Sequence, residues 1–151
     1  MKARSRRPLA LALGLAVCLV ALAGCAGGPS PGPITRPEPY PSARSPEEAF
    51  ATFLWAWKRG DLDVLEGYLG AWLRQELKEK LETEDRAAVS AWYREGAEHL
   101  ELREIDWTHR GDSLAYVRVV LAGGGLSPTA LDFSLLRRPD GWVVSGKRLL
   151  R

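Results

Sequence analysis

Residues 114–136 read LAYVRVVLAGGGLSPTALDFSLL, with strand-like alternation on either side of three consecutive glycines. Folded back as a hairpin centred near Gly125, the stretch sets Val117 opposite Phe133 and Val119 opposite Leu131 on one face. The same register sets Arg118 opposite Asp132 and Tyr116 opposite Ser134 on the other face. A slip of one residue would scramble both faces, so their agreement argues for this register. An antiparallel sheet with one apolar and one polar side is expected.

Toward the C-terminus, Arg138-Pro139-Asp140-Gly141 supplies a turn, and Trp142-Val143-Val144 opens a last strand toward Leu150. Toward the N-terminus, Leu100 and Leu102 share one parity and Ile105 and Trp107 the other. That break predicts a β-bulge near Arg103-Glu104. Further back the period becomes helical. Ser45-Pro46-Glu47-Glu48 is a helix start, with Ser as N-cap, Pro at the first position and Glu closing a capping box. Phe50, Phe53, Leu54 and Trp57 then form one apolar stripe. Gly60 ends that helix, and Asp61 caps a second whose inward face is Leu62, Leu65 and Leu69. Leu73, Leu77 and Leu81 continue after Gly70. Thr83 is expected to cap a further helix, with Ala88, Val89 and Trp92 inward and a stop near Gly96. Helices followed by strands predict an α+β fold, its N-terminal helices packed on a curved antiparallel sheet of about four strands.

The first two dozen residues are of another kind. Lys2, Arg4, Arg6 and Arg7 precede an uncharged run from Leu9 to Ala23. A bilayer span needs about twenty apolar residues, so this run of about fifteen reads as a cleaved signal peptide, residues 1–24. Without it Lys+Arg fall from 21 to 17 against 19 Asp+Glu, and a formal charge of +2 becomes −2. That balance argues against a nucleic-acid partner. The segment ends in Leu22-Ala23-Gly24-Cys25, which resembles the lipobox of bacterial lipoproteins. The resemblance implies a lipid on Cys25, cleavage before it, and an extracytoplasmic protein anchored to a membrane, the outer one where the envelope has two. Acyl chains bury about 0.8 kcal/mol per CH₂, enough together for firm anchoring. Cys18 departs with the leader, so no free thiol is expected in the mature chain. Residues 25–45 follow as a Pro-rich tether with six prolines. At about 3.1 Å per residue it would reach roughly 60 Å. A ligand for a proline-binding groove or the cell wall is the alternative.

The remaining unit, 46–151, resembles the nuclear-transport-factor-two-like superfamily. The resemblance rests on Ser45-Pro46-Glu47-Glu48-Ala49-Phe50, Lys58-Arg59-Gly60-Asp61, Gly111-Asp112-Ser113-Leu114-Ala115-Tyr116-Val117 and Asp140-Gly141-Trp142-Val143-Val144. It implies a cone-like sheet wrapped by helices around an internal pocket. That fold hosts isomerases, hydrolases and inert lipoprotein domains alike, so it does not choose a function.

The chemistry-bearing residues are few. His109 lies in a polar turn and His99 just past a helix end. Asp61 and Asp63 lack the spacing of a calcium loop, and no metal or cofactor is expected. No nucleophile elbow, Walker loop or dinucleotide fingerprint is present. Catalytic members of the superfamily pair an acid with a tyrosine, for which Asp132 with Tyr68 or Tyr116 would be the candidates. The hairpin register instead gives Asp132 to Arg118. Trp57, Trp92, Trp107 and Trp142 fit core stripes, whereas Trp55 and Trp72 lie off them and read either as covered by a neighbouring helix or as a pocket rim or interface. Tyr116 and Arg118 join them as ligand or interface candidates. The expectation is a membrane-anchored, non-catalytic binding or protein-interaction module for a small apolar ligand or an envelope protein. A small cofactor-free isomerase or hydrolase is the alternative. A homodimer through Tyr116, Arg118, Asp132 and Ser134 is a third reading.

Overall fold

The computed structural model describes residues 30–150; the expected signal peptide, residues 1–24, and Cys25 lie outside them. Four helices precede the long strands. Helix α1 spans Pro46–Arg59, with the Ser45 hydroxyl accepting from the Glu48 amide and Gly60 closing it in the left-handed conformation, φ 64°. The Glu48 carboxylate does not close a capping box. It accepts from the Ser42 hydroxyl and the Arg44 guanidinium instead. Helix α2, Leu62–Tyr68, is capped by Asp61, and α3 spans Ala71–Thr83 with Leu73 and Leu77 buried. Helix α4, Arg86–Ala97, is capped by Asp85, whose carboxylate accepts from the Ala88 amide at 2.8 Å. Thr83 instead belongs to the last turn of α3, its hydroxyl donating to the Lys80 carbonyl. The inward row of α4 is Val89, Tyr93 and Ala97, at i, i+4 and i+8, while Ala88 and Trp92 face solvent.

Strand β1 is the two-residue Gly32–Pro33; β2 is Glu101–Arg110, β3 Leu114–Gly123, β4 Leu126–Arg138 and β5 Gly141–Leu149. They form one antiparallel sheet in the order β1-β2-β3-β4-β5. The expected hairpin register holds at all four pairs, Val117–Phe133, Val119–Leu131, Arg118–Asp132 and Tyr116–Ser134. A register shift between Leu102 and Glu104 is the expected bulge, and a second falls between Asp106 and His109. His109 therefore ends a strand, exposed, and is not in the turn.

All the helices lie on one face of this open sheet. Phe50 and Phe53 of α1 meet Phe133 of β4 at centroid distances of 5.2 and 5.6 Å, and Trp107 of β2 packs edge-on to Phe50 at 6.0 Å. Leu54, Leu65, Leu77, Val117, Val119 and Leu135 complete the core. Fully burying one such side chain stabilises by about 1.5–3 kcal/mol.

Two expectations need correction here. The sheet has five strands and stays open; it is not a closed cone, because its first edge strand is only two residues long and the aromatic side chains of α1 fill the space beneath it. The supposed tether is also not free from Gly32 onward. Gly32 and Pro33 pair with Leu102 and Glu101, Ile34 is buried, and Ser42 exchanges hydrogen bonds of 3.0 Å with the Thr52 hydroxyl. Repeated prolines set local conformation, but a buried Ile and satisfied backbone groups dock the segment on the domain.

Candidate functional site

The helix layer does not seal completely over the sheet. Between α1, α3 and α4 lies a pocket of about 210 Å³. Its floor is Phe133 with Phe53, and its walls are Trp57, Leu65, Leu69 and Leu73. Helix periodicity aims these residues: Phe53 and Trp57 sit at i and i+4 on α1, and their rings lie 6.0 Å apart. From α3, Leu73, Glu76 and Lys80 at i, i+3 and i+7 line the same opening. Tyr93 of the inward row of α4 closes one side and Trp92 stands at the mouth, 56% exposed. Burial pushes the Tyr93 phenol pKa up, and the nearby Glu76 adds to this, so the hydroxyl remains protonated at neutral pH. Lys80 donates to Glu84 at 2.7 Å, with its Nζ 4.5 Å from the Trp92 ring centre. Lys147 of β5, paired with Phe133, completes the rim.

A second, shallower hollow of about 630 Å³ lies on the uncovered face of the sheet. Here Tyr116, Arg118, Asp132 and Ser134 come together as the alternation requires. The Asp132 carboxylate is held by two guanidiniums, Arg118 Nε at 2.9 Å and Arg148 at 2.9 Å. The Arg118 hydrogen bond, then the Arg148 one, holds its pKa below the usual carboxylate value. An aspartate ionised this firmly is a weak proton acceptor. Gly146 on β5 keeps room here, since a Cβ would lie 2.7 Å from Ser134 Oγ.

The other candidates stay apart. Tyr68 packs with the helix layer, so the sheet separates it from Asp132, and burial raises its pKa. Trp55 is half-buried against the core with Arg59 5.8 Å above its ring, while Trp72 is 61% exposed and lines neither pocket. Trp92, placed by its sequence pattern in the core, is at the pocket mouth because α4 begins at Arg86 and turns the 89–93–97 row inward. Asp61 caps α2 and accepts from the Tyr40 hydroxyl at 2.8 Å, and Asp63 pairs with Arg86. Among the described residues no three His, Cys, Asp or Glu side chains are grouped to hold a metal ion, and no helix is long and apolar enough to cross a membrane. The residues that pattern reasoning misses as pocket lining include Glu76, Lys80, Tyr93 and Lys147, while Phe53 and Phe133 read as core. The adjacent aromatic pair Trp92-Tyr93 was the available signal.

No family model and no curated protein matches the chain. Among solved structures it is similar to the solution structure of a SEC-C motif containing protein from Rhodopseudomonas palustris. The two share 16% identity over 71% of this chain and 80% of the other, with a TM-score of 0.45. The resemblance to the nuclear-transport-factor-two-like superfamily is not sustained: no family model matches the chain, and the sheet it predicted as a cone is open. The comparisons lend no support to the lipobox resemblance either. At this level of likeness the solved structure carries no function to this chain.

Proposed function

We propose that the domain is a non-catalytic binding module that takes a small apolar ligand between its helices and its sheet. The observation that carries this reading is the pocket of about 210 Å³ with Phe53, Trp57, Leu65, Leu69, Leu73 and Phe133 in its lining. A dry apolar cavity of roughly 150 Å³ already binds benzene, so a single ring or short hydrocarbon chain fits the space. The firmly ionised Asp132, held by two guanidiniums, supports binding over acid–base catalysis. The charged leader and uncharged run ahead of Cys25 support delivery outside the cytoplasm, with the domain held at a membrane by acylation of that thiol.

Native and denaturing mass spectrometry of the protein purified without added apolar compounds tests the first part. The expected result is an extra mass that leaves on denaturation, and Leu73→Phe, which fills the pocket, should remove it. A bare polypeptide mass, together with unchanged tryptophan fluorescence on titration with 1-hexanol, would overturn it. An intact mass of the membrane fraction tests the second part: the acyl increment is expected in the parent and absent in Cys25→Ser.

A further inference from the structure

We infer that the ligand carries an organic cation, a methylated ammonium group, bound in an aromatic hollow at the mouth of the apolar pocket. This inference rests on the binding reading above. Beside the pocket lies a hollow of about 350 Å³ lined by Trp57, Trp92, Tyr93, Glu95 and Gly96. Trp92 and Tyr93 meet at 82° with centroids 5.0 Å apart, so their rings form two walls of a corner. Trp57 reaches the same space from α1. Aromatic faces are electron-rich, and cages of such rings recognise quaternary ammonium groups.

Three further observations agree. The one ionic side chain in the lining is a carboxylate, Glu95. The chain already places an ammonium against one of these rings, with Lys80 Nζ 4.5 Å from the Trp92 centroid. Lys80 lines the deeper pocket and not this hollow, so its charge lies to one side of the space a ligand would take. Finally, Gly96 lies within α4, where glycine is less stable than alanine. Its φ is not positive, and a Cβ there would meet nothing within 4 Å. The fold does not demand a glycine at this position, and the missing side chain leaves that wall of the hollow open. The surrounding charges are Glu95 within the hollow, Glu76, Lys80 and Lys147 in the adjoining pocket, and Glu84 neutralising Lys80. An apolar substituent on the ammonium would pass between Trp57 and Tyr93, which line both spaces, into the pocket beyond.

Calorimetric titration of the full chain in phosphatidylglycerol nanodiscs, which carry no ammonium group, tests this. The probes are hexyltrimethylammonium, 1-hexanol and hexanesulfonate, which share one tail and differ in charge. Hexyltrimethylammonium is expected to bind at least tenfold tighter than 1-hexanol, with hexanesulfonate weakest. Trp92→Ala, an exposed position that the core does not need, should erase the preference, and Glu95→Gln should cut it several-fold while leaving 1-hexanol unchanged. Gly96→Leu should block the cation, while Gly96→Ala should raise the melting temperature. Equal affinity for the cation and the alcohol would overturn the inference and leave the apolar pocket standing. No binding of any probe would overturn both, and preference for the sulfonate would overturn the inference in favour of Lys80 and Lys147.

Discussion

Strand β3 contributes alternate residues to two surfaces with opposite roles. Toward the helices, Ala115, Val117, Val119 and Leu121 are each at most 3% exposed, and Phe50 and Phe53 pack on the same layer. Toward solvent, Tyr116 and Arg118 stand over a hollow where charge pairs replace packing. The covered face is held by apolar burial, which requires close fit and tolerates little change. The uncovered face is held by exposed ion pairs, which solvent screens and which contribute little to stability. The contrast teaches that stability and the apolar pocket belong to the same layer, because the side chains that build the core also line the opening.

The largest effect should come from Phe50→Ala, which empties a site touching Phe53, Trp107 and Phe133. A loss of about 3–5 kcal/mol is expected in urea unfolding. Were Tyr116→Ala to cost as much, the contrast would break, and a partner must cover the outer face in solution. Next comes Gly123→Ala. Gly123 sits at φ 133°, and a Cβ there would collide with the His99 carbonyl, so a loss of roughly 1–3 kcal/mol is expected from the same measurement. Asp85→Ala should cost about 1 kcal/mol by removing the cap of α4, with Thr83→Ala costing less. Equal losses would return the cap to Thr83.

The smallest effect should be that of Asp132→Asn, and it sharpens the contrast through pH. Arg118, then Arg148, depress the Asp132 pKa in the folded state, so the pair stabilises above the unfolded carboxyl value of about 3.9. That contribution is lost as pH falls from there through the folded pKa. Thermal melts should therefore show a small deficit for the variant at pH 7 that closes in acid. A deficit that persisted to pH 2 would mean that packing, not charge, holds Asp132.

The β3–β4 register is legible in the sequence because one face is buried, and burial imposes alternation along both strands. The caps at Ser45 and Asp61 are legible for a similar reason, being local signals with a single partner a few residues on. The inward face of α4 is not. The rows Ala88–Trp92 and Val89–Tyr93–Ala97 are alike in size and hydropathy, and what separates them is the Asp85 cap and the seat of Trp92 under Lys80. Nor can periodicity distinguish Leu73 or Phe133 in a filled core from the same residues beside an opening. The pocket arises from distances between elements, to which the pattern within each element is blind. Strand β1 escapes notice because Gly32–Pro33 has no alternation to read and is recruited by the edge it covers.

That docked segment governs where the chain can be cut. A fragment begun at residue 46 would lose the strand paired with Glu101 and Leu102 and the Ser42 groups that satisfy Thr52, which is fully buried. It would also unroof Leu54 and Leu102 beneath Ile34. A bared strand edge beside newly wetted leucines invites sheet-to-sheet aggregation. A soluble version of this domain should therefore begin upstream of Gly32, and a protease that trims to residue 45 should yield a precipitate.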